Sequence, residues 1–353
     1  MKADPPVRVA ICDDSPTYAR GLTQFLEHDG DLRVVAVYST ARELLSALAE
    51  LRCDLITMDL ELPDSDGVGA IEEIMRSHPH PIVVLSTHAA LGSRRAPAAL
   101  AAGALDAIHK GELRLDSSGE ASATELRRRI KRLARVPLKA KTSQAATGPI
   151  HNLDHGENGS AGARRAAVIG IGSSTGGPPA LLALLSQLPA DFPIPLLVVQ
   201  HISAGFTEGL VRWLNDAVAI PVQLAANAQK TGPGVWFAPA NAHLTLEPAF
   251  KLSLDHTTTV GPHRPSVDVL LTSLARVAGR NGVGVVLTGM GRDGAVGVAA
   301  IQAAGGLGVA QDAESSVVDG MPAAARRAGA QLSRAPKAIG ALLGTFRAAR
   351  SSS

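Results

Sequence analysis

The chain has 353 residues, of which 46% are apolar, and this is enough for two ordinary domains with a core each. Its formal net charge of +2 is too small to argue, by itself, for binding to nucleic acid or to a membrane surface. The two cysteines, Cys12 and Cys53, share no metal-ligand spacing and are expected to be reduced core thiols. Because no signal-like N-terminal segment and no run of about 18 apolar residues occur, we expect a cytoplasmic protein without direct membrane insertion.

Five short runs rich in β-branched residues alternate with helical periods between Val7 and about Glu112. The runs are VRVAIC, RVVAVY, DLITMDL, PIVVLST and LDAIHK. This alternation predicts an α/β domain with a doubly wound, five-stranded parallel sheet, which we place at residues 7–125.

A basic helix follows, with the sequence ATELRRRIKRLAR, and nine Lys or Arg stand against four Asp or Glu between Glu112 and Lys141. The stretch has no interleaved aromatic residues and no recognition motif, so a solvated helix face is expected and a nucleic-acid partner is not. From Thr142 to Arg164 small and polar residues replace branched apolar ones, which predicts a flexible linker. Residues 126–165 are therefore assigned to the helix end and the linker.

A second α/β pattern runs from about Ala166 to Phe346. It predicts another doubly wound, mostly parallel sheet, with strands at AAVIGIG, IPLLVVQHI, IPVQLAA, GVGVVLTGM and LGVAQD. Clustered short strands between Val235 and His256 indicate a β-hairpin insertion. We place this domain at residues 166–346 and expect the tail AARSSS to be disordered.

Five polar side chains follow strands of the first predicted sheet. Asp13 and Asp14 follow the first strand and Asp59 the third, while Thr87 and Lys110 follow the last two. Since ligands collect beyond the carboxyl ends of parallel strands, these groups should share one edge. Clustered carboxylates favour a hard cation such as Mg²⁺, and a lysine and a hydroxyl group can assist phosphoryl transfer. The alternative for each acid taken alone is a helix cap.

Residues 7–112 resemble a response-regulator receiver domain through DDS and MDLELPDSDG, with the hydroxyl residue and the lysine at the two later strand ends. The resemblance implies that Asp59 accepts a phosphoryl group from a histidine kinase and that Mg²⁺ is the cofactor of this step. It also implies that the metal ligands are Asp13, Asp14, Asp59 and the Glu61 carbonyl. The phosphate-sensing residues would be Thr87 and Lys110.

Two positions depart from the receiver pattern. The family usually has an aromatic residue where this chain has Ala107, and a proline where it has Gly111. We therefore expect phosphorylation to persist and its structural readout to differ from the usual coupling.

The segment VIGIGSSTGGP satisfies two templates at once. It is close to the dinucleotide-binding loop G-x-G-x-x-G, although Thr175 occupies the third glycine position. It also contains G-x-S-x-G, which places Ser174 at the nucleophile position of a strand-to-helix turn. Either match alone is weak.

The later strand ends favour the nucleophile. A dinucleotide site needs an acidic residue after the next strand, where this chain has Gln200 and His201. Asp293 follows a further strand in the turn GRDG, so a serine, a histidine and an aspartate end three strands of one sheet. Together they could form a catalytic triad, because geometry and not chain order defines one. Taken singly, they could instead be a helix N-cap, a strand-end histidine and a turn residue.

Three other histidines are weaker candidates for a base, because they lie in the hairpin region or in a loop: His243, His256 and His263. No clustered ligand spacing indicates a metal site among them.

Residues 166–346 contain six characteristic blocks: IGSSTGGP, VVQHISAGFT, FAPANAHL, HRPSVDVLL, VVLTGMGRDGA and SSVVDGMPAAA. Through these blocks this part of the chain resembles the catalytic domain of the chemotaxis protein-glutamate methylesterase and glutaminase. The resemblance implies Ser174 as nucleophile, His201 as general base and Asp293 as its orienting carboxylate, without a cofactor. It further implies the Met290 backbone amide as an oxyanion donor and Thr175 as a support for the imidazole.

The two resemblances together imply a hydrolase whose receiver domain controls it by phosphorylation. Its substrates would be glutamyl methyl esters, and also glutamines, on methyl-accepting chemotaxis receptors. The chain departs from the catalytic family at Ile202, Ser203 and Ala204 after the histidine and at Asp319, all of which we expect to line the substrate approach. The alternatives are a non-catalytic phosphorylation-dependent adaptor and a receiver fused to a nucleotide-binding oxidoreductase.

Overall fold

The computed structural model describes residues 5–87, 94–113, 120–136, 164–261 and 263–349. Nearly all of the predicted linker and the end of the predicted disordered tail lie outside these residues. No helix in the described part of the chain is long and apolar enough to cross a membrane.

The N-terminal domain has the predicted five-stranded parallel sheet, with strand order β2-β1-β3-β4-β5. Its strands are β1 (Val7–Cys12), β2 (Leu32–Tyr38), β3 (Leu55–Asp59), β4 (Ile82–Ser86) and β5 (Asp106–His109). Its helices are α1 (Pro16–Glu27), α2 (Ala41–Ala47), α3 (Gly67–Ser77), α4 (Arg95–Ala102) and α5 (Glu120–Ala134). Every residue of β3 and β4 is buried, as expected of central strands that helices cover on both faces.

The predicted boundary between residues 125 and 126 stays a prediction, but it falls within α5. The apolar side chains of this helix, Leu126, Ile130 and Leu133, are buried in the same core cluster as Val9 of β1. The second half of α5 is therefore packed as part of the N-terminal domain.

Two arginines of the basic helix α5 form ion pairs within the N-terminal domain. Arg127 is buried, and its Nε lies 2.7 Å from Oδ2 of Asp29. The guanidinium of Arg129 pairs with Asp106. These two arginines are paired within the domain, whereas Arg128 and Arg132 of the same helix are exposed, as expected of a solvated face.

The C-terminal domain contains a seven-stranded parallel sheet with strand order β15-β14-β13-β7-β8-β10-β9. Its strands are β6 (Arg165–Ala166), β7 (Val168–Ser173), β8 (Leu196–Gln200), β9 (Val222–Leu224), β10 (Val235–Phe237), β11 (His243–Glu247), β12 (Lys251–Asp255), β13 (Gly282–Val286), β14 (Leu307–Gln311), β15 (Leu332–Arg334) and β16 (Arg347–Ala348). Its helices are α6 (Gly177–Leu185), α7 (Thr207–Ala217), α8 (Val267–Ala278), α9 (Ala295–Ala303), α10 (Gly320–Arg327) and α11 (Pro336–Gly344). The order reverses at β7, between β13 and β8, so a crevice is expected at the carboxyl ends of these three strands.

The predicted hairpin insertion is present but shorter than predicted. Strands β11 and β12 form an antiparallel pair, whereas β10, which the sequence grouped with them, lies in the main sheet in parallel between β8 and β9. Three apolar residues in a row, Val235–Phe237, are all buried, and this pattern fits a parallel strand covered on both faces rather than a hairpin strand. The pair β6–β16 and the edge strand β15 were not predicted, because each of these three strands has only two or three residues.

Candidate active site and phosphorylation site

Ser174 lies in a tight turn between β7 and α6. Its backbone N–H donates to the carbonyl oxygen of Thr288 at 3.0 Å, and its own carbonyl accepts from the N–H of Gly177 at 2.8 Å. Gly176 has φ 75°, and a Cβ atom there would lie 2.6 Å from Cβ of Val317, so the turn requires a glycine. The backbone is thus fixed, while the Ser174 side chain stays half-buried.

The preceding serine is structural. Ser173 is fully buried, and its hydroxyl donates to Oε1 of Gln200 at 2.6 Å. The amide nitrogen of Gln200 in turn donates to the carbonyls of Ser174 and His201, each at 2.8 Å. Gln200 therefore ties the end of β7 to the end of β8. Gln200 precedes His201 in the sequence, but no sequence pattern predicted that its side chain would link the two strands.

His201 and Asp293 are brought together at the ends of β8 and after β13. Nε2 of His201 lies 3.0 Å from Oδ2 of Asp293, and both side chains are nearly buried. The ring N–H is not aimed along this line, so the contact is a close electrostatic pair rather than a well-aligned hydrogen bond. Burial alone would raise the pKa of Asp293, but the imidazole and nearby backbone N–H groups outweigh it and hold the pKa well below its usual range.

The N-terminus of α8 holds the Asp293 carboxylate. Oδ1 accepts from the Ser266 hydroxyl at 2.9 Å and from the N–H of Asp268 at 2.9 Å, and Oδ2 accepts from the N–H of Val267 at 2.8 Å. Ser266 is also the N-cap of this helix. A helix N-terminus favours an anion, so this end of α8 stabilises the ionised carboxylate. Sequence reasoning missed these three residues, although a serine before an apolar helical period is a capping signal.

His243 is excluded as a base by its own contacts. It is buried, and its Nδ1 accepts the N–H of Ser266 at 3.2 Å while Nε2 lies 3.2 Å from the carbonyl of Thr258. Both ring nitrogens are thereby engaged in holding the segment before α8.

Thr175 follows Ser174 in the chain, and Met290 belongs to the turn after β13 that packs against Ser174. Thr175 is buried and its carbonyl accepts the Thr288 hydroxyl at 3.0 Å, but its own hydroxyl makes no hydrogen bond to His201. The turn that carries Met290 passes directly against the nucleophile candidate, since a Cβ atom on Gly289 would lie 2.8 Å from Cβ of Ser174. The predicted roles of Thr175 and of the Met290 amide remain predictions.

Asp13, Asp59 and Lys110 lie together at the carboxyl edge of the N-terminal sheet, as predicted. Nζ of Lys110 lies 2.5 Å from Oδ2 of Asp59 and 2.6 Å from Oδ2 of Asp13, and all three groups are buried. Burial raises the pKa of Asp59, although Lys110 opposes this effect. One carboxylate oxygen each from Asp13, Asp14 and Asp59 lies within 4.8 Å of the others. An all-oxygen set of this kind fits Mg²⁺.

Thr87 and Glu61 lie at the same edge. The Thr87 hydroxyl donates to Oε2 of Glu61 at 3.4 Å, and the N–H of Glu61 donates to Oδ1 of Asp59 at 3.1 Å. The predicted ligand role of the Glu61 carbonyl and the sensing role of Thr87 stay predictions.

The contacts of His109 explain why this chain has Gly111 where the receiver family usually has a proline. The N–H of Gly111 donates to Nδ1 of His109 at 3.2 Å, so Nε2 carries the ring proton and donates to the Thr87 carbonyl at 2.9 Å. A Cβ atom on Gly111 would lie 2.8 Å from Cε1 of this ring. A proline at this position would have no N–H to donate and would collide with the imidazole.

Ala107 and Ser203, which both depart from the family patterns, contact each other at the interface between the two domains. The Ser203 hydroxyl donates to the Ala107 carbonyl at 3.3 Å. Phe206, in the 3₁₀ turn Ala204–Phe206 after His201, is 1% exposed and packs in the core cluster of the N-terminal domain. Its ring lies edge-on to His109, with the ring centroids 6.2 Å apart.

Other contacts extend the same interface. Ile202 packs against the core clusters of both domains, and Met290 packs against the N-terminal one, with its Sδ 3.6 Å from Nη1 of Arg132 in α5. Nη1 of Arg94, just before α4, lies 2.7 Å from Oδ2 of Asp216 in α7. Ile202 and Ser203 thus contact the N-terminal domain, and the expectation that the residues after His201 and Asp319 line the substrate approach stays a prediction. Asp319 pairs with Arg326 at 2.5 Å.

Comparisons with known proteins identify both halves of the chain. The family model described as CheB methylesterase matches residues 169–343, and the response regulator receiver domain matches residues 9–115. A protein-glutamate methylesterase/protein-glutamine glutaminase of Myxococcus xanthus (strain DK1622) is 42% identical over 326 residues, which cover 92% of this chain and 89% of the relative. The chain belongs to the protein-glutamate methylesterase/protein-glutamine glutaminase family.

Further members of the family match over similar lengths. One from Anaeromyxobacter dehalogenans (strain 2CP-C) is 39% identical, with 94% of this chain and 97% of the relative covered. Among solved structures, the CheB methylesterase catalytic domain of Thermotoga maritima is 36% identical and covers 50% of this chain, with a TM-score of 0.49. The family models and the curated relatives confirm the predicted family and enzyme class and favour neither the adaptor nor the oxidoreductase.

Proposed function

We propose that the protein hydrolyses glutamyl methyl esters, and deamidates glutamines, on the helices of methyl-accepting chemotaxis receptors, and that phosphorylation of Asp59 by a histidine kinase controls this activity. The observation that carries the proposal is the pairing of His201 with Asp293 beside the Ser174 turn, at the point where the strand order reverses. In keeping with this substrate, we place the protein in the cytoplasm.

The reaction is acyl transfer to Ser174. The hydroxyl oxygen attacks the γ-carbonyl carbon of the ester while His201 takes its proton. Nε2 of His201 faces Asp293, so Nδ1, which has no hydrogen-bond partner among the described residues, is the nitrogen available for this proton. The bond to the methoxy group then breaks, and His201 protonates the leaving methanol. Water activated by the same imidazole hydrolyses the acyl-enzyme and restores the glutamate; with glutamine, ammonia leaves instead.

Two further groups support these steps. Asp293 stabilises the imidazolium that forms, and the α8 N-terminus keeps that carboxylate ionised and oriented. The Met290 backbone N–H stabilises the tetrahedral oxyanion, and one donor of this kind is worth about 3 kcal/mol of barrier. Thr175 lines the turn beside the imidazole.

The receiver controls access to this site by covering the loops around it. Asp13, Asp14, Asp59 and the Glu61 carbonyl would hold Mg²⁺, which would supply positive charge to neutralise a phosphoryl group on its transfer to Asp59. A phosphoryl group on Asp59 gives Thr87 and Lys110 a new partner. Movement of Thr87 passes to His109, which binds its carbonyl and packs against Phe206. Release of Phe206 then opens the domain contact.

The test is methanol release from methylated cytoplasmic fragments of chemotaxis receptors. The wild type is compared with Ser174→Ala, each with and without a small phosphodonor and Mg²⁺. Release that needs Ser174 and rises with phosphodonor supports the proposal. Ser174-dependent release that ignores the phosphodonor overturns the regulatory half.

A second comparison addresses catalysis and inhibition separately. Absence of both methanol release and reaction with a fluorophosphonate shifts the function to a non-catalytic adaptor. A chain lacking residues 1–140 is expected to exceed the unphosphorylated wild type in esterase rate. An equal or lower rate would contradict inhibition by the receiver.

A further inference from the structure

The imidazole ring of His263 stacks on the ring of His201. The ring centroids lie 4.1 Å apart and the planes are inclined by 19°. This is the geometry of a face-to-face aromatic contact, close enough for van der Waals packing over the whole ring. His263 belongs to the loop before α8 and was set aside as a base on sequence grounds.

The in-plane contacts of His201 leave its ring orientation weakly fixed. Its nearest polar partner is Asp293, through Nε2, and neither ring nitrogen has a well-aligned hydrogen bond to a described residue. The second side-chain torsion of histidine has a broad energy minimum, so a single off-axis contact does not define the ring plane. A flat group against the ring face restrains this torsion.

His263 also separates the base from solvent. The His201 side chain is 9% exposed, whereas His263 is an exposed residue. One face of the His263 ring therefore covers His201 while the rest of the residue contacts water. Exclusion of water from the imidazole strengthens its electrostatic interaction with Asp293.

One segment positions both members of the His201–Asp293 pair. His263 covers the base, and three residues later Ser266 begins the group of donors that hold the carboxylate. Nη1 of Arg264 donates to the His256 carbonyl at 2.6 Å, which anchors the segment between these two contacts. A shift of this loop would change the base and its carboxylate together.

We propose that His263 is a positioning residue that holds and covers the His201 ring through aromatic stacking. The inference rests on the proposed function of His201 as the general base. The role requires a flat ring and no proton transfer by His263 itself, so phenylalanine should serve in its place whereas alanine should not.

The test compares His263→Ala and His263→Phe with the wild type, with His256→Ala as the matched control. His256 is exposed and its bond to Arg264 uses only the backbone carbonyl, which the alanine variant keeps. The first readout is kcat and KM for methanol release from a methylated receptor fragment with phosphodonor present. The second is the rate at which diethyl pyrocarbonate modifies His201, followed by peptide mass mapping, which does not depend on activity.

His263→Ala is expected to lower kcat about 3- to 10-fold with little change in KM, and to speed modification of His201. His263→Phe should restore both values, and His256→Ala should leave both at the wild-type level. Unchanged values in His263→Ala overturn the proposal, as does a phenylalanine variant as slow as the alanine one. A wild type that releases no methanol contradicts the proposed function, while the modification rates still decide whether His263 covers His201. Melting temperatures of all three variants exclude global unfolding as the cause.

Discussion

Replacement of Phe206 by alanine should activate the unphosphorylated enzyme. The Phe206 side chain belongs to the catalytic domain by sequence, but it is 1% exposed and packs in the core cluster of the receiver. Much of its burial therefore exists only while the two domains are in contact. Its removal should weaken that contact more than the fold of either domain.

The size of the effect follows from the burial. A fully buried Phe→Ala substitution costs about 3–5 kcal/mol, part of which is the edge-on ring contact with His109. If only about 1.4 kcal/mol of this loss falls on the domain contact, the ratio of open to closed enzyme rises about tenfold. The basal esterase rate should rise by the same factor while the open form is the minor one, and stimulation by phosphodonor should shrink accordingly.

The assay is methanol release without and with phosphodonor, and Phe192→Ala is the matched control. Phe192 is equally buried but lies in the core of the catalytic domain, so its loss should lower the melting temperature without raising the basal rate. With saturating phosphodonor, Phe206→Ala should match the wild type, which shows that the His201 loop is intact. A basal rate that stays at the wild-type level in a folded Phe206→Ala variant would refute the reasoning.

Three further predictions concern single groups. Asp59→Asn should abolish stimulation by phosphodonor and leave basal methanol release unchanged; stimulation that persists would mean another acceptor. Gln200→Leu removes the amide that donates to the Ser174 and His201 carbonyls and leaves the buried Ser173 hydroxyl without its acceptor, so kcat should fall about tenfold with a lower melting temperature, and an unchanged kcat would contradict the tie between β7 and β8. Because the folded state lowers the pKa of Asp293, its contribution to the free energy of unfolding is complete above about pH 4 and is lost as the pH falls further. Urea titrations between about pH 5 and pH 2 should show that Asp293→Asn loses less stability on acidification than the wild type does; equal losses would contradict this assignment.

Most of the fold could be predicted because a buried parallel strand is recognisable in the sequence as a short run of apolar residues. Runs such as VIGIG and GVGVV are apolar over consecutive residues, and the structure confirms them as parts of β7 and β13. The site residues were found for the same reason, since a polar residue directly after such a run must lie at the carboxyl edge of the sheet. Ser174 and His201 are in this position, and Asp293 lies in the turn that follows β13.

Contacts between distant segments could not be predicted in this way. The ring of His263 on His201 and the hydroxyl of Ser203 on the Ala107 carbonyl join residues with no shared periodicity. The ion pair of Arg127 with Asp29 is of the same kind, and a count of charges assigned that arginine to a solvated face. Such pairs depend on how two elements pack, and a local sequence pattern contains no information about that packing.

The segments that bear the proposed catalytic groups are also the segments that contact the receiver. Ile202, Ser203 and Phe206 follow His201 directly, and the Met290 side chain packs against the receiver core beside Arg132. The proposed base and the proposed oxyanion donor therefore lie on segments that the domain contact holds. A receiver that only blocked the entrance would change KM alone, whereas one that holds these two segments also changes the geometry of the reacting groups. Phosphorylation should accordingly raise kcat as well as lower KM, which distinguishes control of site geometry from simple occlusion.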